Sequence, residues 1–412
     1  MSPRVAVIGA GIGGLTLALE LHAAGIECQV FEAVPELSAV GVGINLLPHA
    51  TRELSRLGLG EELASVAVAP RESVYFNRFG QHIHTERIGR AAGYDWPQLS
   101  IHRADLQAVL ARAVRARLGE HSVVTGHRCE RVDQDERGVT VRLTRAEGSR
   151  TRVRADAAVG CDGIHSAVRR QLHPEQGPPV YSGHNMWRGV TVSPPILGGA
   201  SMIRAGWLAT GKLVVYPIRE QVDDAGRQLV NWVVEIETPR HADRDWNRAG
   251  RVEDFIDVFA DWRFDWLDVP ALIRGAPEIL EYPMVDQDPL PWWGTGRVTL
   301  LGDAAHPMVP RGSNGAGQAV LDASALAAEL AASHDVATAF AGYERLRRPA
   351  TSAVVRANRT NPPDAILREV YQRTGDRPFA RIEDVISTEE LDDIITGYQE
   401  TAGYSLAALS DP

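Results

Sequence analysis

The chain has 412 residues, 44% hydrophobic and 23% charged, an ordinary globular composition long enough for two or three domains. Its net charge of -10 argues against nucleic acid or an anionic membrane surface as a partner. Three scattered cysteines without a CxxC, no apolar run near the ~18 residues of a membrane span, and no basic leader in MSPRVAVIGA lead us to expect a reducing, cytoplasmic location.

In chain order, Arg4 to Ile8 reads as a buried parallel strand, followed at once by Gly9-x-Gly11-x-x-Gly14. Leu15 to Ala23 is a helix with a stop signal at Gly25, and Glu27 to Phe31 is a second strand ending at Glu32. Gly9 allows a tight turn, Gly11 lets backbone approach a pyrophosphate, and Gly14 lets helix pack on strand. The helix N-terminus attracts phosphate, and an acid at position 32 suits a ribose 2′-OH and disfavours a 2′-phosphate. The whole unit points to a dinucleotide, NAD or FAD.

Gly41 to His49 reads as a glycine-rich loop entering a helix from Ala50 to Leu57, and residues 71–88 alternate like strands. Ser100 or His102 caps a further helix that carries Leu106, Leu110 and Val114 on one face. Residues 121–160 read as several strands, followed by Cys161-Asp162-Gly163 and another helix. From about 178 to 285 strand-like, tryptophan-rich runs dominate (MWRGVTV, KLVVYPI, LVNWVVEI), with an acidic helical stretch from Val252 to Trp262. A parallel-type strand returns at Arg297 to Leu301 and delivers Gly302-Asp303. Residues 316–356 are helical, and 361–412 form an acidic helical tail.

The stretch LGDAAHPMVPRGSNGAGQ has no GxGxxG, so it does not hold a second pyrophosphate. A carboxylate after a strand can accept hydrogen bonds from a polyol, and a helix starting at Gly315-Ala316 can stabilise an anion. A ribityl chain and a flavin ring need both, which selects FAD.

The GxGxxG unit, Cys161-Asp162-Gly163 and Gly302-Asp303, in this order, resemble the single-component (group A) FAD-dependent aromatic hydroxylases, the family of salicylate and 4-hydroxybenzoate hydroxylases. The resemblance runs from residue 4 to about 360. GVGIN, SIHRADLQ, DGIHSAVR and RVTLLGDAAH direct it toward the phenazine-hydroxylating members. It implies an α/β fold: a discontinuous Rossmann-like FAD domain (residues 1–75, 100–177 and 290–345), a β-sheet substrate domain (76–99 and 178–289) and a C-terminal helical region (346–412). It also implies reduction of FAD by NADH or NADPH, reaction with O2 to a flavin C4a-hydroperoxide, and oxygen transfer to a small aromatic substrate. A monomer or homodimer is expected, with no metal.

The cofactor residues implied are Gly9, Gly11, Ile12, Gly13, Gly14, Glu32 and Ala33 for the ADP half, then Gly43, Arg103, Cys129, Asp162, Asp303, Gly315 and Ala316. Asn45, Trp187 and Tyr216 are the substrate-side candidates. Asn45, Tyr216 and His306 are the candidates for a direct part in the chemistry, with a purely structural alternative for Tyr216 and His306. Arg188 fits either the pocket wall or a structural ion pair, and the pair His82 and His84 reads as surface. Indole, quinolone or salicylate-type rings remain alternatives to a phenazine. A NAD-dependent dehydrogenase would leave Asp162-Gly163 and Gly302-Asp303 without a role. A flavin-dependent halogenase would carry WxWxIP, which is absent.

Overall fold

A computed structural model of the chain describes residues 3–37, 41–238 and 248–410. The two ends of the sequence meet in one five-stranded parallel sheet, ordered Val298–Leu300, Ala157–Gly160, Val5–Ile8, Cys28–Phe31, Val123–Val124. Val5, Ala6, Val7 and Ile8 are all buried because helix Ile12–Ala23 packs on the sheet and the antiparallel strands His127–Asp135 and Gly138–Arg145 join the same core. Helix Ile12–Ala23 packs between helix Arg103–Leu118 and helix Gly315–Ala332. Small residues set that packing. A β-carbon on Gly13 would lie 2.8 Å from the Leu301 side chain and 3.3 Å from Ala319. Gly9 has a φ of +108°, and a β-carbon on Gly14 would run into the Gly9 carbonyl, so the turn tolerates only glycine at both positions.

The second body is an eight-stranded sheet, ordered Arg248–Ala249, Ile279–Asp286, Val180–Ser193, Gln228–Glu237, Gly211–Arg219, Ser201–Trp207, Glu72–Phe76, His82–Arg87. Its pairs are antiparallel except where Ser201–Trp207 meets Glu72–Phe76. Strand Glu72–Phe76, which spans the expected boundary at 75, belongs wholly to this sheet. One face looks toward the first body. The other buries an aromatic core in which Trp187 stacks on Phe255 at 5.0 Å. A small sheet of Gly43–Leu46, Leu99–His102 and Ala67–Val68 bridges the bodies.

Three expected elements differ. Val252 to Trp262 is two short 3₁₀ turns, Val252–Asp254 and Ile256–Phe259, broken at Phe255 with φ −144°. Phe255, Phe259 and Trp262 are drawn into the aromatic core, and that packing overrides local helix preference. The loop expected at Gly41 to His49 contains the strand Gly43–Leu46, and the helix after it starts at Pro48. Ser100 lies in a strand, and His102 alone caps helix Arg103–Leu118 through Nδ1. Leu106, Leu110 and Val114 face the core as expected. The C-terminal segment forms helices Val336–Thr360, Ala365–Thr374 and Thr388–Ala402; the first packs on helix Gly315–Ala332, and the other two share a core with strands Glu72–Phe76 and His82–Arg87 of the large sheet. Among the described residues no helix is long and apolar enough to cross a membrane.

Trp187 sits in the core at 4% exposure, so truncation removes a packed ring. Trp187→Ala is expected to lower stability by about 3–5 kcal/mol in chemical denaturation. Ligand affinity in the cavity on the opposite face should stay within about twofold, because additive, uncoupled sites change little.

Candidate active site

Both helix N-termini of the first body open onto one cavity of about 390 Å³. Helix Ile12–Ala23 starts after Gly11 and helix Gly315–Ala332 after Asn314, and neither has a side-chain cap. Their first N–H groups are therefore available to an anion. Gly11, Ile12, Gly13, Gly315 and Ala316 line the cavity, joined by Gly43, Arg103, Gly302 and Asp303. Gly302, with φ +63°, turns the end of strand Val298–Leu300 so that Asp303 projects inward. The Asp303 carboxylate is exposed to the cavity while protein surrounds it on every side. Burial raises its pKa, against the pull of His306 and Arg103. No described residue donates a hydrogen bond to it.

Glu32 lies just beyond strand Cys28–Phe31, next to Ala33. Its Oε2 accepts from the Ala10 N–H at 2.7 Å and Oε1 from Val34 at 3.0 Å. The carboxylate is thereby fixed at the sheet edge beside the glycine turn. A backbone-lined phosphate cradle, a fixed acid at one end and an unpaired acid at the other together fit an FAD molecule.

The other wall is the inner face of the eight-stranded sheet. Met186 and Arg188 face the cavity while Trp187 between them faces away, as strand alternation requires, so the substrate role expected for Trp187 is corrected to core packing. Tyr216 lines the cavity, but its hydroxyl donates to the Gly43 carbonyl at 2.8 Å. Burial raises its pKa and keeps it protonated. Arg188 donates through Nη2 to the same carbonyl, and Gly43 N–H donates to Asn231 Oδ1 at 2.7 Å. Asn45 lines the cavity and accepts from Ser100 Oγ at 2.5 Å.

Arg188 is not a structural ion pair. No carboxylate of a described residue contacts it, and its Nε is buried without a hydrogen-bond partner. Farther along the wall lies a buried charge network. Lys212 Nζ donates to Glu235 at 2.7 Å and to Asp364, Arg204 pairs with Asp364 at 3.1 Å, and Arg311 pairs with Glu235 at 3.3 Å. Burial opposes ionisation of Glu235 and Asp364, yet the neighbouring cations outweigh it and hold both carboxyls below their usual range. Arg188, Arg204, Lys212 and Arg311 thus face two carboxylates across this lobe.

Asp162, His306 and Cys129 are among the expected site residues outside the cavity lining, and each is engaged elsewhere. Asp162 accepts from the Ala167 N–H at 2.7 Å at the start of helix Ala167–Leu172, whose cap is Ser166, while its neighbours Cys161 and Gly163 reach the cavity. His306 is buried against Asp322, with Nε2 to Oδ2 at 2.5 Å, and Asp322 also pairs with Arg347 at 2.8 Å. His306 therefore fixes the turn, which corrects its candidacy for the chemistry. The Cys129 side chain is buried in strand His127–Asp135, and burial pushes its thiol up to about 12. The backbone just before it reaches the acid's segment, with His127 N–H donating to the Glu32 carbonyl at 2.7 Å. Of the histidine pair, His82 is exposed and meets the Thr85 hydroxyl, while His84 is half-buried and meets Asp392.

Arg169 went unnoticed in the sequence. It is buried and donates through Nη1 to the carbonyls of Ala304 and Ala305, each at 2.9 Å, tying the Asp162-Gly163 turn to the Gly302-Asp303 turn. Burial lowers its pKa to about 10. The signal available was its place as the last residue of DGIHSAVR. The charge network had a fainter one: Arg204, Lys212 and Glu235 are charges flanked by apolar residues within strands.

Residues 3–358 match the family described as FAD binding domain. The phenazine 1,6-dicarboxylic acid hydroxylase of Lysobacter antibioticus is 44% identical over 93% of this chain and 95% of its own length. A 3-amino-4-hydroxybenzoate 2-monooxygenase of Streptomyces platensis is 36% identical over 95% of this chain and 94% of its own. Among solved structures, Klebsiella pneumoniae HpxO with FAD and uric acid superposes with a TM-score of 0.77 at 25% identity, covering 98% of this chain and 97% of that one. A salicylate hydroxylase substrate complex gives 0.75 at 25% identity, covering 99% and 97%. A strand-turn-helix cradle, an inward acid 300 residues later and these relatives lead to one assignment: the chain belongs to the FAD-dependent aromatic hydroxylases, monooxygenases that use NAD(P)H and O2.

Proposed function

We propose that the chain hydroxylates a carboxylate-bearing fused heteroaromatic, phenazine-like in size, and that Arg188 recognises the carboxylate. The observation that carries this reading is Arg188 itself: a guanidinium on the cavity wall, without a carboxylate partner, in a lobe holding four cations and two carboxylates. A buried excess of positive charge is costly unless a ligand anion neutralises it. The Lysobacter relative is named for a phenazine dicarboxylic acid and the Streptomyces relative for a benzoate, so both act on ring carboxylates.

Glu32 and Ala33 would meet the adenosine end of FAD, and the Gly11–Gly14 turn its pyrophosphate. Arg103 and Gly43 would flank its middle, Asp303 would accept from the ribityl chain, and Gly315-Ala316 would face the ring edge. Cys129 would contribute backbone near the adenine, and Asp162 would act by holding the turn that carries Gly163. Gly9 and Gly14 shape the cradle. When bound, FAD takes a hydride from NAD(P)H and activates O2 for transfer of one oxygen atom to the aromatic ring. Tyr216 and Arg188 hold the Gly43 strand against the sheet, Asn45 borders the ring position, and the apolar Met186, Met202 and Val233 exclude water. The five-stranded body (1–71, 100–177, 290–345) serves the cofactor and the large sheet (72–99, 178–289) the substrate, with 346–412 closing the sheet edge. We place the enzyme in the cytoplasm, where NAD(P)H and reduced thiols occur together, as a monomer or homodimer.

Two outcomes test the assignments. Glu32→Ala and Asp303→Ala should each weaken FAD retention by about 10- to 150-fold, the equivalent of losing a charged-acceptor hydrogen bond. Flavin fluorescence after dialysis measures it, and full retention by both variants contradicts the two-ended site. For the reaction, a phenazine carboxylate should accelerate NAD(P)H oxidation, with one atom of 18O from O2 entering the product. Salicylate, indole and quinolone serve as comparison substrates. Arg188→Met should raise KM for the carboxylate by about tenfold or more, the loss of one charge-assisted contact, and leave a ring lacking the carboxylate unaffected. Equal loss for both rings assigns Arg188 to holding Gly43 alone.

A further inference from the structure

A second opening leaves the cavity on the side away from the glycine cradle. Met202, Arg204, Gly312 and Ser313 belong both to the cavity wall and to a gap of about 30 Å³ behind it. That gap has room for one or two waters. Glu86, Tyr94 and Gln399 then belong both to the gap and to a cleft of about 420 Å³ between strand His82–Arg87 and helix Thr388–Ala402. Polar side chains follow this route across the sheet. Arg204 Nη1 donates to Ser73 Oγ and reaches the Tyr75 hydroxyl at 3.5 Å. Ser73 is register-paired with Glu86, so both face the same side. Gln399 Nε2 donates to Glu86 Oε1 at 2.8 Å from the C-terminal helix.

We propose that this gap is a water-filled passage carrying protons and water between the substrate lobe and solvent, with Glu86 as its proton-exchanging group. The proposal rests on the monooxygenase stoichiometry. Per turnover, NAD(P)H, one proton, O2 and the aromatic C–H give NAD(P)+, the aromatic C–OH and one water. The O–O bond is broken, and its two atoms end in the hydroxyl and the water. One proton must therefore enter and one water must leave while the front of the cavity is filled by flavin and ring. The gap is too narrow for either.

Every group facing Glu86 leaves it as the one that exchanges protons near neutrality. Burial pushes its carboxyl up to about 7, opposed by Arg204 from strand Ser201–Trp207 and by Gln399, and aided by Asp392, both from the C-terminal helix. Burial holds the surrounding tyrosines protonated: Tyr75 on strand Glu72–Phe76, Tyr94, pushed up to about 12, and Tyr404 after the C-terminal helix. His84, on the same strand as Glu86, is lowered by burial and faces Asp392. Glu86 is protonated below neutrality and donates there, so proton delivery fails as pH rises through its folded pKa.

The test uses the FAD-loaded enzyme. Infrared titration should show a protonated-carboxyl band that disappears on raising the pH through about 7 and is absent in Glu86→Gln. This needs no substrate, so it tests proton exchange at Glu86 even if no carboxylated ring is turned over. With substrate, Glu86→Gln should lower kcat on the order of a hundredfold, the low end of what a positioned proton donor contributes, and abolish the alkaline limb of the pH profile. KM and FAD content should hold, and Glu86→Asp should restore part of the rate. Should Glu86→Gln fail to fold, Gln399→Leu removes the donor that favours the charged carboxylate and should move the alkaline limb to higher pH. An unchanged pH profile in both variants, a carboxyl band that persists in Glu86→Gln, or a high-resolution structure of the loaded enzyme with protein atoms in place of waters between Arg204 and Gln399 overturns the proposal.

Discussion

The site depends on how closely two helices from opposite ends of the chain can approach. Helix Ile12–Ala23 and helix Gly315–Ala332 meet where Gly13 faces Leu301 and Ala319, with no room for a side chain. That contact aims both helix N-termini into one cavity. A larger residue at Gly13 would force the helices apart, and a cofactor bound through backbone N–H groups could no longer span both ends. The parallel strand order makes the approach possible. Strand Val298–Leu300 joins the sheet beside Ala157–Gly160, which itself lies beside Val5–Ile8, so three turns from distant segments share one edge. Arg169 then ties two of these turns together through backbone carbonyls.

The two walls of the cavity use different physics. The cofactor wall is mostly backbone and glycine, with Glu32 held by backbone N–H groups at one end and Asp303 unpaired at the other. The substrate wall is made of side chains on a sheet, where strand alternation decides which residues face in. Arg188 and Trp187 are neighbours in sequence with opposite fates for that reason alone. The wall's charges are held by one another. Removing one member of a buried pair leaves its partner uncompensated, typically at about 3–5 kcal/mol, so the Lys212–Glu235–Asp364 cluster fixes the wall's shape.

How much the sequence revealed follows the same division. The Gly9–Glu32 unit and Gly302-Asp303 were legible because their chemistry is local: a strand, a turn and a helix within thirty residues carry the whole argument. The substrate wall was largely illegible because its parts come from distant segments. Asp364, just before helix Ala365–Thr374, completes a network with Arg204 and Lys212 on two strands, and no spacing announces that. Asp162 and His306 were conspicuous as motif residues, but their side chains turned out to hold backbone and a neighbouring acid. Val252 to Trp262 misled because its aromatics sit at helix-like intervals, while the core they enter sets the backbone.

The C-terminal segment is part of this economy of parts. It supplies Asp364 to the charge network and Gln399 to Glu86, and Tyr398 receives a hydrogen bond from Asn314, the residue that starts the second cofactor helix. A single stretch after residue 360 therefore touches the substrate wall, the rear gap and the cofactor edge. This arrangement explains how one fold accommodates many ring substrates. The backbone cradle would hold the pyrophosphate, while the Glu32 and Asp303 side chains would fix the two ends of FAD. Side chains of the sheet face that touch neither the charge network nor Gly43 can vary the ring pocket while leaving the Gly13 contact between the two helices untouched.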